Sequence, residues 1–289
     1  MGQTLKNFRN RLLYGLFAIT LTGCRISLPK DIYKLEGMES RCQDMDQDDL
    51  LARIRGFDIS TPTSELHCAL YLLRTMRASS IHETSAPSKV CYLLADRDNK
   101  RSNKERLASE GVRWAQVALD GAPAQALYGI RGDETEEEGR VNYYLAVNLG
   151  IAVHDHTALA IKNINRIVKA LKKAIQLVPD EEKGGPLRVL GLLYLVAPPW
   201  PRGIGDGDKA LVLLKQAVAY YPEHPLNHIF YAQALWEVEE DDAEQDIKRE
   251  ISIGDKLLAD KRWRGAKARW SKLLENLAKE ADVNLVPIK

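Results

Sequence analysis

The apolar positions of this chain predict α-helices. Along most of its length, apolar residues recur at intervals of three and four, the spacing that places side chains on one face of a helix. Ala210, Leu214 and Ala217 show this spacing, and Pro222 ends the helix that they define. The alternation of apolar and polar residues that would predict strands does not extend over any useful length. We therefore expect an all-α fold.

The helical segments form an internal repeat. The repeated positions are Gly111, Ala115 and Ala118 before Pro123, Ile167, Leu171 and Ala174 before Pro179, and Ala210, Leu214 and Ala217 before Pro222. Gly191 and Ala232 stand where a small residue in the first helix of a tetratricopeptide unit lets the second helix pack closely. Because one helix pair cannot bury its apolar face alone, stacked pairs build one core and curve around a concave surface. The sequence predicts a tetratricopeptide-like helical-repeat array, an α-solenoid with capping helices, over residues 48–289.

Two insertions interrupt the repeats. Residues 129–139, GIRGDETEEEG, predict an acidic loop. Residues 197–207, APPWPRGIGDG, predict a loop rich in proline and glycine around Trp200. Prolines restrict the backbone on both sides of this large aromatic side chain, which suits it for binding. Two interpretations follow: the Trp200 ring lines an open cleft, or it folds back on Tyr194 as part of the core.

The N-terminal sequence predicts export. Basic residues stand near the start and precede the apolar run Leu12–Leu21, an arrangement typical of a signal peptide. The run is about half the length needed to span a bilayer, so a permanent transmembrane helix is the weaker interpretation. The residues Leu21-Thr22-Gly23-Cys24 resemble the bacterial lipobox. An ordinary signal peptide that happens to carry Cys24 is the alternative.

The lipobox resemblance implies a lipid-anchored protein of the bacterial cell envelope. Residues 1–23 are then the signal peptide, Cys24 carries the lipid, and residues 24–47 form a tether to the folded domain. In lipoproteins of this kind, Arg25 in place of aspartate favours the outer membrane. We therefore expect a chain that is anchored in the outer membrane and faces the periplasm.

Charge and cysteine content narrow the possible partners. Lys and Arg number 41 and Asp and Glu 40, which gives a formal net charge of +1 without a basic tract. This balance argues against a nucleic-acid partner, because phosphate binding needs clustered cations.

Beyond Cys24 the chain holds Cys42, Cys68 and Cys91, an odd number in a compartment that tolerates disulfides. One bridge is possible, and the third thiol is expected to be free and buried.

The residue types that form catalytic or metal sites in other proteins do not form such a site in this sequence. His154 and His156 point away from each other on a helix and lack an evident third ligand, and His224 and His228 are expected at the surface, so we expect no metal site. The glycines at 203–207 precede a helix, but Asp206 and Asp208 would repel an anion there, and one of the two is expected to be the helix N-cap. No nucleophile is paired with a base. We expect neither enzymatic activity nor a cofactor.

The repeat, the loop and the lipobox together resemble the TRAP-transporter T-component lipoproteins, accessory proteins of tripartite ATP-independent periplasmic transporters. The resemblance spans residues 100–250 and is most specific at the loop and its flanking helices. The residues that carry it are Arg188, Gly191, Leu193, Tyr194, Ala197, Pro198, Trp200, Pro201, Gly205, Asp206, Lys209, Ala210, Leu211 and Ala217, with Cys24. It implies a homo-oligomer, a trimer, with an apolar cleft that meets the periplasmic solute-binding subunit.

The sequence therefore leaves two candidate functions. The first is a lipid-anchored helical-repeat protein that docks the solute-binding subunit of a TRAP transporter and holds a small apolar or carboxylate ligand. The second is a structural scaffold for envelope assembly that holds no small ligand. The residues expected to bind the partner or ligand are Tyr194, Pro198, Trp200, Pro201, Arg202, Tyr231 and Trp236.

Overall fold

The computed structural model describes residues 32–43, 45, 49–76, 84–126, 133–238 and 243–283, with the side chains of 121–126 and 133–135 left out. The predicted signal peptide and Cys24 lie outside the described residues, as do parts of the predicted tether. The lipidation and localisation of the chain therefore stay predictions.

The described chain is helical throughout, and the prediction of an all-α fold is confirmed. Within the described ranges it forms eleven α-helices and a short 3-10 helix at Lys261–Trp263, with no β-strand. The α-helices are α1 Leu50–Arg55, α2 Thr63–Thr75, α3 Ala86–Arg97, α4 Arg101–Ala126, α5 Asp133–Val153, α6 Thr157–Leu177, α7 Gly185–Val196, α8 Gly207–Tyr220, α9 Pro225–Val238, α10 Glu244–Leu258 and α11 Lys267–Glu280. No helix among them has the length and apolar character that crossing a bilayer requires.

The helices stack in chain order, as the repeat predicted. From α2 to α11 each helix lies against the next one along the chain. Their buried side chains form three clusters: the first spans α1 to α5, the central one α4 to α8, and the last one α8 to α11. Tyr92 packs against both the first and the central cluster, and Leu195 against both the central and the last. The array is thus an all-α helical-repeat stack whose core continues from end to end.

Small residues hold the helix pairs close together. The side chains of Ala210 and Ala217 on α8 are fully buried. A Cβ atom added to Gly191 on α7 would lie 2.7 Å from Cγ of Leu214 on α8, which is closer than packed carbon atoms approach. The glycine therefore sets the distance between α7 and α8, as its position in the repeat predicted.

Two boundaries differ from the sequence prediction. The helix that was expected to end at Pro123 continues to Ala126. The acidic loop expected at 129–139 is helical from Asp133 onward. Glutamate is a good helix former, and acidic side chains in a first turn interact favourably with the positive end of the helix dipole. The acidic stretch therefore begins α5.

The two ends of the described array contact each other. A guanidinium nitrogen of Arg269 on α11 donates to the carboxylate of Asp96 on α3 at 2.6 Å, and another donates to the carbonyl of the same aspartate. Gly265, just before α11, lies so close to the carbonyl oxygen of Ile59 that a Cβ atom there would overlap it. The array is therefore closed by contacts of α11 and the segment before it with α3 and the segment before α2, whereas repeats in an open solenoid contact only their neighbours.

One disulfide joins the N-terminal segment to α2. Cys42 and Cys68 are bonded to each other, and Cys91 is a free, buried thiol. The bridge that the cysteine count left open is thus present, and the expectation of a buried third thiol is confirmed. The same burial raises the pKa of the Cys91 thiol well above its ordinary value.

The close approach at Gly191 predicts a loss of stability when a side chain is added. Gly191→Ala should lower the free energy of unfolding by about 2 kcal/mol, because α7 and α8 must move apart. Gly150→Ala is the matched control: this glycine is also helical, and a Cβ atom there would meet nothing within 4 Å. The Gly150 variant should raise the free energy of unfolding by about 0.5 kcal/mol, because alanine has the higher helix propensity. Urea unfolding followed by circular dichroism measures both, and equal effects would contradict the packing argument.

The disulfide predicts a redox-dependent stability. Replacing Cys42 and Cys68 together by serine should lower the free energy of unfolding by about 3 kcal/mol, because the unfolded chain regains the freedom of a closed loop. Reductant should destabilise the original chain by a similar amount and leave the double variant unchanged. Urea unfolding with and without reductant tests this, and a chain indifferent to reductant would show that the bridge does not form.

Candidate functional site

Residues 197–207, which we call the aromatic loop, connect α7 to α8 and are closed by backbone hydrogen bonds. The amide of Gly205 donates to the carbonyl of Pro198 at 2.8 Å, and the amide of Asp206 donates to the carbonyl of Tyr194 at 2.9 Å. These bonds bring the end of the loop back to the end of α7. The loop therefore has a defined conformation that does not depend on contacts of the Trp200 ring.

The start of α8 fixes the second end of the aromatic loop. The carboxylate of Asp206 accepts from the amide of Lys209 at 3.0 Å and from its ammonium group at 2.5 Å. These bonds hold the pKa of Asp206 below its ordinary value and identify it as the N-cap, one of the two candidates predicted. The Lys209 ammonium also lies 5.7 Å from the ring centre of Tyr194. The cap thus ties α8 back to α7.

Trp200 lies at the surface. Its side chain is 85% exposed, and Pro198, Pro201 and Arg202 beside it are exposed as well. The ring does not pack on Tyr194, so the interpretation that it folds back into the core is wrong, and the interpretation that it lines an open cleft stays a prediction. The physical reason is that the backbone bonds close the loop without help from the indole. A large aromatic ring is therefore presented to solvent.

The other predicted site residues lie apart from this exposed surface. Tyr194 and Tyr231 are each only 8% exposed and belong to the central and the last clusters. Their rings fill the core, which corrects the expectation that they line an open cleft. Trp236 is half-buried near the end of α9, and its indole nitrogen is buried without a hydrogen-bond partner in the described part of the chain. The structure thus brings together only Pro198, Trp200, Pro201 and Arg202.

The histidines expected at the surface are buried instead. His228 Nδ1 lies 2.6 Å from a carboxylate oxygen of Glu250, and its Nε2 lies 2.7 Å from the carbonyl oxygen of Pro222. His224 packs between the rings of Trp263 and Trp270. Burial lowers the pKa of His224 well below its ordinary value. Both histidines join α9 to α10 and α11 as packing residues.

No pattern in the sequence predicted the polar junction between α6 and α7. Glu182, Lys183 and Gly184 all have positive φ, of 47°, 54° and 81°, a conformation that costs free energy for residues other than glycine. Arg188 on α7 donates to the carbonyls of Glu182 and Lys183, both at 3.2 Å. Asn227 on α9 also donates to the Lys183 carbonyl, at 3.1 Å. The surrounding helices therefore hold the turn in a conformation that its own residues disfavour.

The turn places two carboxylates among buried tyrosines. The hydroxyl of Tyr143 donates to Glu182 at 2.7 Å, and that of Tyr92 donates to the same oxygen at 3.3 Å. The hydroxyl of Tyr144 donates to Glu181 at 2.5 Å. Burial raises the pKa of the Glu182 carboxyl and, to a greater degree, those of the three tyrosines. The tyrosines therefore stay protonated and act as donors.

Two cations lie near the second carboxylate, that of Glu181, and balance its charge. Nε of Arg140 lies 3.4 Å from Glu181, and the ammonium of Lys89 lies 3.9 Å from it. The polar groups of this junction thus have partners in the described chain, and none is placed as a free nucleophile or base. The junction joins α3, α5, α7 and α9, and its chemistry is structural.

The fold and the exposed loop define a class of protein: an all-α helical-repeat array that presents one large aromatic side chain on a closed loop. A comparison with known protein families and a comparison with curated proteins each give no match to this chain. The class therefore rests on the structure itself.

The raised pKa of Glu182 predicts a pH dependence of stability. Because its folded-state pKa lies above the ordinary value of 4.5, the folded chain holds this proton more tightly than the unfolded chain does. The resulting stabilisation is complete at pH values below the ordinary pKa of 4.5. It is lost as the pH rises through the folded-state pKa. Glu182→Gln keeps an acceptor oxygen for Tyr143 and should remove this loss, so the variant gains stability relative to the original chain as pH rises.

Urea unfolding from about pH 4 to about pH 8 measures this difference. Glu280→Gln, at an exposed position on α11, is the control and should follow the original chain. A constant difference between the Glu182 variant and the original chain across this range would contradict the assignment.

Proposed function

We propose that this chain is a helical-repeat docking protein of the bacterial envelope and that its aromatic loop binds a protein partner. The observation that carries the proposal is the 85% exposure of Trp200 on a loop closed at both ends. Tryptophan and arginine are the side chains most enriched at the energetic centres of protein interfaces. Trp200 and Arg202 stand two residues apart on this loop.

The closed loop favours binding because little conformational freedom remains to be lost. Backbone bonds fix the loop before a partner arrives, so association orders mainly the side chains. Val196 at the end of α7 and Val212 on α8 are more than half exposed and add apolar surface on the two helices that carry the loop. The partner proposed for this surface is a protein with an apolar recess that accepts the indole ring.

The resemblance to the T-component lipoproteins suggests which partner this is. On this proposal the chain is anchored through Cys24, assembles as a trimer and docks the periplasmic solute-binding subunit of a TRAP transporter. The support is the set of loop and helix residues that the resemblance rests on. Pro198, Trp200 and Pro201, three members of that set, lie at the exposed part of the loop.

The second candidate function is a scaffold for envelope assembly that holds no small ligand. The burial of Tyr194 and Tyr231 favours it, because two aromatics proposed for a ligand cleft are occupied in core packing. Both candidates share docking through the aromatic loop and differ in the identity of the partner.

Replacing the exposed indole should weaken docking without affecting the fold. Trp200→Ala should change the free energy of unfolding by less than about 0.5 kcal/mol, because the ring makes few intramolecular contacts. It should weaken binding of the partner by about 2 kcal/mol. Tyr220→Ala, at an aromatic residue on α8 that is 69% exposed, is the matched control and should retain binding. Titration of purified solute-binding subunit, followed by tryptophan fluorescence, measures the affinity.

The outcomes separate the proposals. A solute-binding subunit that binds the original chain and Tyr220→Ala but not Trp200→Ala supports the transporter function. A subunit that binds all three chains equally would exclude docking through Trp200. If no solute-binding subunit binds, the transporter function fails, and the scaffold function remains with a different protein partner.

A further inference from the structure

A basic cavity lies where the two ends of the array meet. It has a volume of about 550 Å³ and is lined by the segment before and at the start of α2, by the end of α3, and by the segment before α11. Three of the lining residues are the cations Arg97, Lys261 and Arg264. Among the described residues that line it there is no aspartate or glutamate. The lining therefore carries positive charge only.

The acidic residues nearest in sequence are already paired elsewhere. Asp260 is 2.9 Å from Arg262, and the Asp58 carboxylate accepts from the amide and hydroxyl of Ser60 at 2.7 and 2.6 Å. Asp96 is bonded to Arg269. Within the described chain, Lys261 and Arg264 are therefore left without an acidic partner, and both side chains are exposed.

The guanidinium of Arg97 donates its hydrogen bonds to backbone carbonyls, and the carboxylates of Asp96 and Asp58 lie near enough to interact with its charge. It donates to the carbonyls of Asp58 and Ile59 at 3.0 and 2.9 Å and to the carbonyl of Thr61. Its Nε is buried and has no hydrogen-bond partner in the described part of the chain. Desolvation lowers the pKa of Arg97 from its ordinary value. An anion in the cavity would add a charge-assisted interaction with this guanidinium group.

The remaining lining offers neutral donors. Thr61 and Thr63 contribute hydroxyl groups, whereas the hydroxyl of Ser60 already donates to the Asp58 carboxylate. Thr63 begins α2, a helix of 13 residues whose N-cap, Pro62, provides no side-chain hydrogen bond. Amides at such a helix start are free to bind an anion, and the helix dipole favours negative charge there. These donors add to the cations and do not by themselves define the site.

The walls of the cavity are held in place by the closure of the array. Gly265 contacts the carbonyl of Ile59 so closely that the segments before α2 and before α11 cannot approach further. The bond between Arg269 and Asp96 joins the same two parts of the fold. The cations are therefore brought together by tertiary structure, although they are far apart in sequence.

We propose that this cavity binds a small oxyanion, with a phosphate ester as the chemical class that it fits. Phosphate accepts several charge-assisted hydrogen bonds, which matches a lining of two guanidinium groups, one ammonium group and threonine hydroxyls. A volume of about 550 Å³ accommodates such a molecule. Two sources share this chemistry: a free phosphomonoester and the head group of an anionic lipid.

Calorimetric titration of the purified full chain in detergent tests the site. The probes are inorganic phosphate, glycerol phosphate and a short-chain phosphatidylglycerol below its micelle concentration, all at one ionic strength set with chloride. The combined variant Lys261→Gln and Arg264→Gln should bind inorganic phosphate at least about tenfold more weakly, because each charged hydrogen bond contributes roughly a factor of ten. Both side chains are exposed, so the variant should retain its fold.

The control removes the same charge from neighbouring positions outside the cavity. Lys267→Gln combined with Lys272→Gln, both at exposed positions on α11, should bind phosphate within about twofold of the original chain, because only long-range charge is lost. Equal weakening in both double variants, or no saturable binding by any probe, would overturn the proposal. Tighter binding of glycerol phosphate identifies a free phosphomonoester as the source, and tighter binding of phosphatidylglycerol identifies a lipid.

Discussion

The placement of α7 depends on one buried guanidinium group. Arg188 is 4% exposed and donates to Asn227 at 2.7 Å and to two carbonyls of the turn before α7. Without it, buried carbonyl oxygens and a backbone with positive φ would be left unsupported. The same bonds connect α7 to α9, so Arg188 fixes the helix from which the aromatic loop emerges. The exposed position of Trp200 therefore depends on a hydrogen-bond network that is buried at the opposite end of α7.

Close packing determines the distance between neighbouring helices, whereas closure joins helices that are distant in the chain. Gly191 sets the distance between two neighbouring helices, and a repeat of such contacts would suffice for an open solenoid. The bond between Asp96 and Arg269 joins helices that are far apart in sequence. Local packing therefore explains why helices pair, whereas long-range contacts explain why this array closes on itself.

Sequence periodicity was sufficient for the parts of the fold that repeat. Ala210, Leu214 and Ala217 are buried as their spacing predicted, and Asp206 caps α8. The position of Trp200 could not be predicted, because a loop between helices closes equally well with its aromatic ring inside or outside. The polar junction at Glu182 and the closing contact at Arg269 also gave no periodic signal, since their partners come from distant helices. Repeated local patterns predict helices, and contacts between distant single residues decide the site.

The two proposed binding surfaces depend on the fold in different ways. The aromatic loop is made by bonds within one short connection, so it persists wherever α7 and α8 remain paired. The basic cavity is shared between the segment before α2 and the segment before α11, so it exists only while the array is closed. An anion bound there must favour the closed array by its differential affinity, because opening would separate Arg97 from Arg264. Occupancy of the cavity is therefore linked to closure, and docking through Trp200 is not.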